Sequence, residues 1–133
     1  MSIQSLAQRR ARHALELIQK HEKAGRDSYK NYVSYAESIP ATIVMNGLGQ
    51  ACATLLAKAK GDLTQPHGLL YSDLQSWLCG PESPTRFKGK SDLMDAIVHS
   101  DQADYLQAQT EAIAFLVWLK KLASAYLQPG KPE

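Results

Sequence analysis

The sequence has no apolar run long enough to cross a bilayer. Its longest, Ala112 to Leu119, falls well short of the ~20 residues that a spanning helix needs. Cysteine is scarce. Cys52 and Cys79 form no Cys-x-x-Cys spacing and have no histidine nearby at metal-ligand spacing, which argues against a disulfide scaffold or a zinc site and for free thiols in a reducing compartment. Arg9, Arg10 and Arg12 are not followed by the apolar stretch of a signal peptide, so a cytoplasmic protein is expected. The chain also lacks a Gly-rich phosphate loop, a His-x-x-x-His pair, an internal repeat and any alternating apolar pattern long enough for a buried strand.

What remains is the balance of an ordinary globular domain, with 44% hydrophobic and 21% charged residues in 133. Net charge is only +2, but its distribution is uneven. Residues 1–30 hold seven Lys/Arg against three acids, whereas residues 91–111 hold five acids and no Lys/Arg. A basic end and an acidic stretch suit different polar partners.

Apolar residues at three-and-four spacing predict an amphipathic helix from Ser2 to Lys23, stopped by Gly25. Asp27 or Ser28 is expected to cap a short second helix that ends before Pro40, because the residue before a proline disfavours helical angles. Pro40 then opens a third helix running to Lys60, with Gly47 and Gly49 as its weak points. A fourth is expected from Gly68 to Cys79, a mobile loop over 80–90, a fifth helix capped by Ser91, and a last one from Asp101 to about Leu127. The expectation is an all-α, single-domain bundle of about five to six helices over residues 1–128, with 129–133 as a tail.

Catalysis would need convergent groups, and the acidic stretch is the one region that offers them. Asp92, Asp95, Asp101 and Asp104 beside His99 suggest a metal-dependent nuclease, but three of these aspartates fall at expected helix starts, where capping accounts for them. His13, His21 and His67 are isolated, as satisfied or surface histidines are. No catalytic residue, metal or cofactor is expected.

Binding surfaces are more legible. Arg9, Arg12, His13, Glu16, Lys20 and Lys23 share one face of the first helix, a basic stripe that suits a phosphate backbone or a solvated surface. Arg10 falls inside the apolar arc. On the third predicted helix, Thr42, Asn46, Gln50, Ala53 and Ala57 form a polar or small but uncharged strip, fit for an interface or a buried polar seam. The last helix is apolar over more than half its circumference, and its narrow polar strip holds Gln107, Thr110, Glu111, Ala114, Trp118 and Lys121. Trp118 is therefore expected near the surface, where it would anchor a partner.

Two segments carry a family resemblance. Within residues 32–58, Ile39-Pro40-Ala41 is followed by Asn46-Gly47-Leu48-Gly49-Gln50; within residues 110–123, Thr110-Glu111-Ala112 is followed by Trp118-Leu119-Lys120-Lys121. Together they resemble the small helical subunit of the type III-B CRISPR effector, the Cmr or RAMP-module complex. The resemblance implies a non-catalytic protein, present in several copies, that stacks beside the subunit gripping the guide RNA and lies near target RNA. It implies the large subunit as a further partner. It carries Asn46, Gly47, Gln50, Trp118, Lys120 and Lys121 across by position; Asn46, Gln50 and Trp118 are expected at interfaces, and Lys120 and Lys121 on RNA beside Arg9, Arg12, Lys20 and Lys23 from the stripe. The competing readings are a helical adaptor for an acidic protein and the aspartate nuclease.

Overall fold

The computed structural model describes residues 3–25 and 29–127. Six helices follow one another: α1 (Leu6–Ala24), α2 (Tyr29–Asn46), α3 (Leu48–Ala59), α4 (Pro66–Leu78), α5 (Leu93–His99) and α6 (Gln102–Tyr126). There is no strand among the described residues, of which 77% are helical, against about 30–35% in an average domain. The all-α reading therefore holds. The expected cap of α2 and the tail beyond residue 128 lie outside the described residues.

Local chemistry accounts for most helix ends. Ser5 caps α1 in a reciprocal box: its Oγ accepts from the Gln8 N–H at 3.1 Å, and its own N–H donates to Gln8 Oε1 at 2.8 Å. Gly25 ends α1 in the left-handed conformation, φ 62°. The fourth helix begins at Pro66, capped by Gln65, rather than at Gly68. Asp92, not Ser91, caps α5 through Asp95 N–H at 2.9 Å. Asp101 caps α6 as expected, through Asp104 N–H at 2.8 Å.

The largest correction concerns Pro40. It lies inside α2, which runs on to Asn46, and the break comes instead at Gly47, φ 89°. That left-handed angle favours glycine, and a Cβ there would lie 3.1 Å from the Tyr105 hydroxyl. Side chains of α6 then cap α3 from outside: Leu48 N–H donates to Gln109 Oε1 at 2.8 Å and Gly49 N–H to Tyr105 Oη at 2.9 Å. Two of the unpaired N–H groups at a helix start are thereby satisfied. No local pattern could announce this cap.

The core gathers around α6, which packs against α1, α2 and α4, while α3 packs on α4 and α5. Trp77 and Phe115 stack with ring centroids 5.5 Å apart, in a core that also buries Ile18, Leu74, Leu116 and Leu119. The 80–90 segment carries no helix or strand. Three alternate positions nevertheless turn inward: Ser83, Thr85 and Phe87 are buried, Phe87 N–H donates to Thr85 Oγ1 at 3.1 Å, and Gly89 N–H donates to Cys79 carbonyl oxygen at 2.9 Å.

Candidate nucleic-acid interface

Helix α1 divides its charges between two environments. Ala14, Ile18 and His21 are buried, and Arg12, Glu16, Lys20 and Lys23 are exposed, with Arg9 and His13 half-buried at the boundary. The stripe is thus on the solvent side for most of its length. From Arg9 to Lys23 it extends over about 21 Å at 1.5 Å per residue.

Its members differ in what they touch. Arg12 donates to both oxygens of Glu82 at 2.7 Å, and to Gln4 Oε1. This engages one expected RNA-binding cation with a carboxylate of the 80–90 segment. Lys20 and Lys23 make no ion pair among the described residues. His13 Nε2 lies 2.8 Å from Ser76 Oγ, and its ring lies against Trp77 and Phe115. Burial pushes its pKa down, the nearby carboxylates of Glu16, Asp73 and Glu82 opposing the shift.

Arg10, the residue that broke the apolar arc, is explained by its partner. Its Nε and Nη2 donate to the two oxygens of Glu111 at 2.7 Å, and Trp77 Nε1 donates to Glu111 Oε2 at 2.8 Å. Glu111 is buried, a correction to its expected place on the polar strip of α6. A charged residue in an apolar arc was the available signal that a carboxylate waited inside. A second buried cluster had a weaker one, Asp73 amid the apolar residues of α4. Its Oδ2 accepts from Tyr32 Oη at 2.5 Å and lies 2.6 Å from His21 Nε2. Burial and the adjacent carboxylate push the Tyr32 phenol well above its ordinary value, so it remains a donor.

The contacts also give α1 and α6 their relative direction. Leu6 shares a cleft with Gln107 and Thr110, Arg10 holds Glu111, and His13 reaches Phe115. Residue numbers rise together along both helices, so α1 and α6 run parallel. Lys20 and Lys23 therefore lie toward the end of the bundle that carries Lys120 and Lys121. Lys121 is exposed and Lys120 half-buried. Trp118 retains 38% of its surface, in keeping with its predicted position, and Asn46 and Gln50 are exposed on either side of the Gly47 joint.

Two of the four aspartates have structural duties. Asp92 and Asp101 are the caps already described, and Asp95 lies 3.3 Å from His99 on the surface of α5. Asp95, Asp101 and Asp104 line a cleft of about 490 Å³ together with Arg86 and Lys90. No cluster of three or more potential metal ligands occurs among the described residues. Cys52 and Cys79 are unpaired and buried, and burial pushes their thiols up to about 12 and about 11. No described helix is long and apolar enough to cross a membrane.

The arrangement is a helical bundle with an exposed basic helix and an exposed tryptophan. The family model described as CRISPR-associated protein (Cas_Cmr5) matches residues 6–126, from the first residue of α1 to the last of α6. The chain belongs to this family of CRISPR-associated proteins and is a subunit of the type III-B Cmr kind.

Proposed function

We propose that the chain is a non-catalytic structural subunit of an RNA-guided, RNA-targeting effector that serves antiviral defence in the cytoplasm. Several copies stack beside the subunit that grips the guide RNA, in contact with the large subunit. The outer face of α1 lies along the target RNA backbone and neutralises phosphates without reading bases.

One observation carries this reading. Lys20, Lys23 and Lys121 stand exposed and without ion pairs among the described residues, toward one end of the parallel α1–α6 pair. Closely spaced cations of this kind displace counterions from a nucleic acid. Trp118, Asn46 and Gln50 supply uncharged exposed surface for neighbouring subunits.

The test is target-RNA binding by the assembled complex at several salt concentrations, with Arg12→Gln, Lys20→Gln and Lys121→Gln beside the unaltered chain. Lys20→Gln and Lys121→Gln are each expected to flatten the plot of log affinity against log salt by roughly 0.7, almost equally for unrelated sequences, and Arg12→Gln by less, because Glu82 already pairs with Arg12. An unchanged slope in all three, with assembly intact, would make these charges solvated bystanders and the role purely that of a scaffold.

A further inference from the structure

Helices α2 and α3 form a hairpin about Gly47, and a groove of about 220 Å³ opens between them. Its α2 wall repeats at helical spacing through Tyr35, Ser38 and Thr42. Its α3 wall does the same through Ala51, Thr54 and Lys58. Ala51 and Thr54 are short, which keeps the groove open, and Ile39 and Leu55 make its floor apolar.

At the open end of the hairpin the groove meets the start of α4. There the His67 ring stacks on Tyr35, with centroids 3.8 Å apart and planes 18° from parallel. Burial and the neighbouring Lys58 push the His67 pKa down, which favours the uncharged imidazole. The pair is a partly exposed aromatic platform lining a cavity. Lys58 is exposed at its rim and makes no ion pair among the described residues. The hydroxyls of Ser38 and Thr42 donate to the α2 carbonyls of Tyr35 and Ser38, at 3.2 and 3.1 Å. Their oxygens are left as acceptors.

We infer that this groove receives one unpaired nucleobase of a single-stranded RNA, stacked against the Tyr35–His67 platform, with an adjoining phosphate on Lys58. The inference rests on the reading that the chain lies along RNA, and adds a base contact to the phosphate contacts of that reading. Size favours a single ring system, because the cavity is smaller than the roughly 300–1,000 Å³ of pockets that enclose whole small molecules. Chemistry favours a base: aromatic rings stack any base face, the acceptor oxygens suit base N–H groups, and the lysine suits phosphate. Stacking of this kind tolerates sequence changes, in keeping with a subunit that does not select its target.

The experiment compares binding of a short oligouridylate with binding of the same ribose–phosphate strand lacking bases, using the full chain. The base-bearing strand is expected to bind about tenfold more tightly. Tyr35→Leu, or Thr54→Leu placed at an exposed position to fill the groove, should erase that difference. Lys58→Gln should instead flatten the salt dependence of both strands by roughly 0.7. Equal binding of the two strands by the unaltered chain overturns the base site and leaves the phosphate reading standing. So does a base preference that survives both groove variants. A base preference lost in those variants, with a salt slope indifferent to Arg12, Lys20 and Lys121, keeps the groove and overturns the stripe. Binding of neither strand overturns the base site, and the phosphate reading is then judged by the assembled complex alone.

Discussion

Arg10 and Arg12 are two residues apart on one helix, and each holds a carboxylate at 2.7 Å, yet they stand in different solvents. The Arg10–Glu111 side chains are 20% and 6% exposed; those of Arg12 and Glu82 are both 43% exposed. The tryptophans divide the same way: Trp77 is 1% exposed and donates to Glu111, whereas Trp118 is 38% exposed. Identical side chains thus serve the interior on one face and stand in solvent on the other. Distance alone does not measure what an ion pair contributes. An exposed pair is screened by water and ions, while a buried carboxylate has no solvent to fall back on.

The largest effect should come from breaking the inner pair. Arg10→Met leaves the Glu111 carboxylate buried with Trp77 Nε1 as its remaining described partner, and the chain should lose about 3–5 kcal/mol in denaturant unfolding. Replacing both members by apolar residues of similar volume should recover most of that loss, because no charge is then stranded. If the double variant is as unstable as the single one, packing rather than charge governs the site.

Next comes Trp118→Ala. A tryptophan that anchors a neighbour accounts for about 2 kcal/mol or more of association, so incorporation into the complex should weaken while the melting curve of the isolated chain changes little. A monomer that loses roughly 3–5 kcal/mol would place Trp118 with Trp77 in the core and erase the contrast between them. The smallest effect belongs to Arg12→Gln, which should change unfolding stability by less than about 1 kcal/mol, and less still at high salt. A loss as large as that of Arg10→Met would show that α1 and the 80–90 segment are held together through Glu82.

Much of this was legible in the chain itself. The 3.6-residue apolar period of α1, the Gly25 stop, the Asp101 cap and the exposure of Trp118 all depend on neighbours within a turn or two, and periodicity reports such neighbours directly. Arg10 was legible as an anomaly: its place in the apolar arc could be read, its partner 101 positions away could not. Likewise Glu111 sits where helical angles put a polar strip, and only the approach of α1 and α4 makes that strip interior.

Proline chemistry pointed to Pro40 as the break, and the tertiary structure put it at Gly47. The sequence by itself determined that this stretch would be helical and where it was weak. Which weak point yields was decided by α6, whose Tyr105 and Gln109 reach the N–H groups after Gly47 and stabilise a helix start there. The same holds for the groove of Tyr35, Lys58 and His67, residues on three helices that become neighbours only when the hairpin folds. Local periodicity is written in adjacent residues and survives in the sequence. A cap, a buried ion pair or a binding groove joins groups far apart in the chain, and exists only once packing has brought them together.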